Sequence, residues 1–205
     1  MLGTFLSLTY YFQGTLHYSA MKSGLAFVPF SLGVIMGATA ASRLLPRFGP
    51  RFVILLGLVL GAIGLGIFTL LGVHTTYASL VLPAEVIVSF GMGLSFVAMS
   101  STALIGVTPA DAGVASALVN TTQQAGSTMG AALINTIATG ATAAYLAVHG
   151  KSAAAEVAGS IHGYTTAFLF SAIVLAAAAV FAFVLIRAPK DALNQDAELL
   201  AVPAL

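Results

Sequence analysis

The chain alternates long apolar runs with sparse charged positions. No charged residue lies between Arg51 and Glu85, between Asp111 and Lys151, or between Glu156 and Arg187. Each gap exceeds the roughly 20 apolar residues that cross about 30 Å of hydrocarbon. Backbone polar groups in lipid must be satisfied within their own segment, so runs of this length predict helices. A transmembrane barrel would show strands of about ten residues alternating in polarity. That alternation is absent from the sequence. Six helices are predicted, at about 1–16, 23–42, 52–73, 79–106, 109–147 and 160–187, leaving 188–205 as a tail. The fifth is too long for one span, so its first turns are expected outside the hydrocarbon. The first would rise only about 24 Å, and no basic anchor precedes it. The expectation is a truncated first span, with Met1 an internal methionine of a longer protein. The fold class is all-α integral membrane, a six-helix transmembrane bundle.

Composition agrees with lipid as the solvent. Charged residues make up 6% of the 205 and hydrophobic residues 59%, against roughly 25% charged in soluble domains. Mean hydropathy is +1.04. A net charge of +1 gives no reason to expect a nucleic-acid partner. There are no cysteines, which excludes disulfides, thiolate zinc sites and cysteine nucleophiles. The start lacks the basic region of a secretory signal. Arg43, Arg47 and Arg51 fall between helices two and three, and Arg187 and Lys190 follow helix six. All five share one side if the helices alternate, and only Lys22 and Lys151 fall on the other. The positive-inside rule then puts both termini in the cytoplasm of a multi-pass cell-membrane protein. His17, His74, His149 and His162 fall in or near outer loops and are read as solvated rather than metal-bound. No cofactor is expected.

Few side chains can carry chemistry. Hydrolase elbows, zinc-binding histidine pairs, phosphate loops and dinucleotide fingerprints are all missing from the sequence, and an enzyme is not expected. Glu85 is the lone acid well inside a predicted span, two residues after Pro83. A carboxylate in lipid is costly, so such residues commonly face a cavity and serve ions, protons or substrates. Glu85 is therefore the proton-coupling candidate, with contact to interfacial water as the plainer use. Helix five holds Asn120, Thr121, Thr122, Gln123, Gln124, Ser127, Thr128 and Asn135. Asn120, Gln124, Ser127 and Asn135 fall near one helical face. Uncharged amides suit varied ligands in a wet cavity, and they equally suit hydrogen bonding between helices. Helix one adds Thr9, Tyr11 and Gln13. The substrate-path candidates are thus Thr9, Tyr11, Gln13, Asn120, Gln123, Gln124 and Ser127. The pairs Gly33/Gly37, Gly57/Gly61 and Gly126/Gly130 are read as close helix packing. Thr108-Pro-Ala-Asp111 reads as a helix start, with Thr108 capping and Asp111 closing a capping box.

Taken in order, several stretches resemble one family. They are Leu8-Thr-Tyr-Tyr-Phe-Gln13, Ser23-Gly-Leu-Ala-Phe-Val-Pro29, Arg47-Phe-Gly-Pro-Arg51, Gly91-Met-Gly93 and the run from Pro109 to Gln124. They look like the C-terminal part of drug:proton antiporters of the major facilitator superfamily, the fourteen-span EmrB/QacA-type branch. The resemblance implies one half of a two-half transporter that exports small amphipathic compounds in exchange for protons. Its partners would be membrane lipid, a small-molecule substrate, protons and the missing N-terminal half. Substrate would bind between the halves near the midplane. Arg47, Gly49 and Arg51 match the family's cytoplasmic gating-loop motif. Pro46 replaces its acid, and Pro50 stands where an arginine is common. No family role transfers to Glu85. The alternative reading is a non-transporting membrane module, an assembly subunit or sensor that keeps the half-fold.

Overall fold

The computed structural model describes residues 2–186. Helix α1, Leu2–Tyr10, continues into a π-helical turn at Tyr11–Thr15, and α2 covers Ala20–Ala26. Helix α3 runs over Val28–Phe68, α4 over Leu82–Ala103, α5 over Ala112–His149 and α6 over Ala153–Leu185.

The long α3 is two limbs meeting at Gly49, whose φ of 78° and ψ of 164° leave the helical region. A side chain disfavours positive φ, so glycine is the residue that allows the turn there. Pro50 then opens the second limb, where its missing N–H costs nothing. The expected linker over 43–51 is therefore a correction. Arg43 and Arg47 belong to the first limb, and one residue makes the break. With the limbs counted separately, the described residues form seven α-helical segments, and they build a membrane bundle.

Both limbs pack against α4. A methyl on Gly37 would strike the Phe90 carbonyl, and one on Gly93 the Val34 carbonyl, so the first limb touches α4 backbone to backbone. A methyl on Gly91 would lie 2.6 Å from the Gly57 carbonyl oxygen on the second limb. In lipid, apolar surface gains little by touching another helix, and close van der Waals contact and hydrogen bonds hold helices together. Two of the three glycine steps work in this way. The third, Gly126/Gly130, corrects the expectation: a methyl at either position would meet nothing within 4 Å. Helix α5 leans on α6 and on α1, and Gly3 of α1 sits against Ile134.

Other boundaries shift for local reasons. Pro29 has no N–H to continue a helix from Leu25, so α2 and α3 are separated at Phe27. The second limb stops at Phe68, before the expected 73, where Thr69 and Leu70 turn back onto Gly66 and Ile67. Helix six was expected from 160 and starts at Ala153, because Ser152 accepts the Ala155 N–H and caps it there. The Thr108–Asp111 capping box is not formed. The Thr108 hydroxyl donates to Asp111 Oδ2 at 2.8 Å, and α5 begins after Asp111. Arg187, Lys190 and the tail at 188–205 lie outside the described residues.

Candidate functional site

Glu85 lies one turn into α4 and is 0% exposed, enclosed by neighbouring side chains. The π-helical turn Tyr77–Val81 precedes α4 and swings Tyr77 back over it. The Tyr77 hydroxyl lies 2.8 Å from the Ala26 carbonyl and 3.3 Å from Glu85 Oε2. Glu85 Oε1 is buried without a hydrogen-bond partner among the described residues. Phe12 stands edge-on to the Tyr77 ring at 5.8 Å and packs on Phe27 at 5.3 Å. This aromatic wall keeps the carboxyl away from the surface.

The geometry sets a hydrogen count. Tyr77 has one hydroxyl proton and two neighbouring acceptors, and the carbonyl can only accept. With Glu85 ionised, the hydroxyl can turn to the carboxylate and release Ala26. With Glu85 protonated, the carboxyl can donate to the phenol oxygen while the phenol donates to Ala26. The carbonyl belongs to the last residue of α2, at the break that Pro29 creates. The Tyr77 hydroxyl therefore lies between Glu85 and the break that separates α2 from α3.

The polar stripe of α5 divides. Asn120, Gln124 and Asn135 are exposed, and Gln123 and Ser127 are half-buried on the neighbouring face. The threonine hydroxyls of Thr121, Thr122 and Thr128 turn back to their own helix, on Ala117, Leu118, and Gln124 with Ala125. Those groups are satisfied locally, and the exposed amides are left open. Residues 120–124 sit about 15–20 Å along the helix from Ile134, where α1 touches α5. The structure therefore does not bring Thr9, Tyr11 and Gln13 to them. Thr9 donates to the Phe5 carbonyl, and Gln13 is exposed. Tyr11 is fully buried, and its hydroxyl reaches the Gly72 and Thr75 carbonyls at 3.2 and 3.4 Å, fastening α1 to the α3–α4 turn.

A cavity of about 330 Å³ opens between α1, α5 and α6, bordered by Ser7, Tyr10, Asn135, Thr142, Ser160 and Tyr164. Sequence reasoning named Asn135 and missed Thr139, Thr142 and Tyr164 as its companions. The signal was available as a second polar row on α5 at 135, 139 and 142. At the tight turn, Arg47 is exposed, Gly49 is buried, and the Arg51 guanidinium lies 4.1 Å over the Phe183 ring of α6. Among the described residues, no group of three or more His, Asp and Glu is placed to hold a metal ion. His149 stacks on Tyr145 at 4.0 Å, and His162 lies tilted to the same ring at 5.5 Å.

Residues 1–131 match the Major Facilitator Superfamily. The chain is 44% identical over 207 residues to the puromycin resistance protein pur8 of Streptomyces alboniger, covering 100% of this chain and 41% of that protein. It is 37% identical over 131 residues to the cephamycin export protein CmcT of Amycolatopsis lactamdurans, covering 63% and 27%. It is 33% identical over 141 residues to a multidrug resistance protein B homolog of Mycobacterium tuberculosis, covering 68% and 26%. The chain thus spans between 26% and 41% of the length of these relatives.

Proposed function

The chain belongs to the major facilitator superfamily, and from that premise we propose that it forms one six-helix half of a proton-coupled exporter of small amphipathic compounds. The relatives named for drug resistance and export support this reading. The observation that carries it is the open amide face of α5. Asn120 and Gln124 are exposed on a helix that its own chain scarcely packs over that stretch. Such amides can contact many ligands without the cost of burying an ion. A second half of the transporter would complete the cavity that they line. Glu85 and Tyr77 supply the proton step, with protonation of Glu85 exchanged for tension at the α2–α3 joint. Arg47, Gly49 and Arg51 form the cytoplasmic turn against which the two halves gate. Both termini then face the cytoplasm of the cell membrane. The protein acts as a carrier and not as a catalyst.

The test uses a full-length protein that contains this chain, expressed in a drug-sensitive host. Gln124→Ala should change the relative resistance to different compounds at equal expression. Glu85→Gln should move the pH dependence of export. If Gln124→Ala lowers only the amount of folded protein, the amides are packing groups. If Glu85→Gln leaves the pH profile unaltered, the proton step lies elsewhere.

A further inference from the structure

Between the second limb of α3 and α6 runs an apolar groove of about 590 Å³. Leu55, Val59 and Ile63 form one wall, and Ala176, Val180 and Phe183 the other. Spacings of three and four residues make each wall a single helical stripe. The α3 stripe, continued one turn back, reaches Arg51, whose guanidinium covers the Phe183 ring at 4.1 Å. The same phenylalanine thus lines the groove and carries the cation that closes its end. Arg51 Nε is buried and has no hydrogen-bond partner among the described residues. Arg43 and Arg47 are exposed near this end of the bundle.

We propose that the groove is a site for an anionic phospholipid, with an acyl chain along the trough and the headgroup phosphate at Arg51. Three observations converge on that occupant. A trough with apolar walls and one charged end fits a molecule that is an alkyl chain with one anionic end. The guanidinium has a forked set of donors that matches phosphate oxygens. The rise from Arg51 to Ile63 is about 18 Å, close to the roughly 15 Å of one leaflet's hydrocarbon. A lipid with its head at Arg51 would therefore end its chain near Ile63, at bilayer mid-depth. None of the residues lining the groove belongs to α5, so it is distinct from the proposed substrate path.

The experiment is native mass spectrometry of the full-length protein in detergent, titrated with phosphatidylglycerol or phosphatidylcholine of the same chain length. Phosphatidylglycerol should be retained about fivefold better, the worth of one basic residue at an anionic surface. Arg51→Gln should erase that preference, and Arg51→Lys should keep most of it. Ala176→Phe, which fills the trough, should lower retention of both lipids. Should Arg51→Gln fail to fold, Phe183→Leu removes the ring that holds the guanidinium and should erase the preference equally. Equal retention of the two lipids by the parent protein overturns the proposal, as does a preference unchanged in Arg51→Gln or in its substitute. Displacement by millimolar inorganic phosphate would make the occupant a free anion. Loss of a dimer in Ala176→Phe would make it a second copy of the chain. Either result also overturns the proposal.

Discussion

Replacing Gly91 by alanine tests how firmly α4 is wedged between the limbs of α3. The new methyl would lie 2.6 Å from the Gly57 carbonyl oxygen, 2.8 Å from the Gly61 amide nitrogen and 2.9 Å from Leu60 Cβ. Ordinary Cβ contacts begin near 3.4 Å, so the helices must part by about 0.8 Å. The obstacles are two main-chain atoms and a Cβ, none of which a rotamer change can move. Helix α4 cannot simply back away, because Gly93 already lies against the Val34 carbonyl and the Ala38 amide of the first limb. A gap of 0.5–1 Å forfeits roughly a quarter to a half of each dispersion contact, and overpacking typically costs about 1–3 kcal/mol. Alanine's better helix propensity returns about 0.5–1 kcal/mol. The net expectation is a loss of about 1–2 kcal/mol. Gly126→Ala is the matched control, since its methyl would meet nothing within 4 Å and only the propensity gain remains. The assay is thermal unfolding of the purified chain in detergent, followed by the fraction that stays monodisperse. At about 2–4 °C per kcal/mol, Gly91→Ala should lower the midpoint by roughly 2–8 °C. Gly126→Ala should leave it unchanged or raise it slightly. Equal midpoints for the two variants would refute the reasoning, and so would a fall at Gly126 as large as that at Gly91.

Tyr77→Phe strips the shared hydroxyl from the Ala26 carbonyl and the Glu85 carboxyl, and an unsatisfied buried acceptor costs about 1–3 kcal/mol. The same unfolding assay should show a fall, and in a full-length protein the pH profile of export should move as it does in Glu85→Gln; a variant as stable as the parent would contradict the hydrogen-bond bridge. For topology, Phe48→Cys in intact cells should resist an impermeant thiol reagent while His149→Cys reacts, and the opposite pattern would invert the orientation. Proteoliposomes holding residues 1–205 alone should not move a dye in response to a pH gradient, because the amide face of α5 is exposed among the described residues; dye movement would show that the chain suffices.

The bundle was legible because lipid permits so few structures. A run without charge from Arg51 to Glu85 leaves helices as the way to satisfy its backbone, and the structure fills that run with the second limb of α3 and the start of α4. What failed was the use of charge to mark loops. Arg43, Arg47 and Glu156 all sit within helices, because a long or terminal side chain can reach polar surroundings from a helix end. A one-residue turn at Gly49 therefore looked like a nine-residue linker. The candidate site was legible by residue type but not by direction. Helix α4 is apolar nearly all round, so its pattern has no face that could tell lipid from core, and Glu85 could be found but not oriented. The glycine steps show the same limit more sharply. Gly57/Gly61 and Gly126/Gly130 have the same spacing, yet one is pressed against α4 and α6 and the other is open. A small-residue step specifies how near a helix can come and leaves unstated which helix comes. Among the described residues nothing lies within 4 Å of the open step, and Asn120 and Gln124 beside it are exposed. The stretch of α5 that packs least against the described residues is also rich in uncharged hydrogen-bonding groups, which is why the proposed substrate path is placed there.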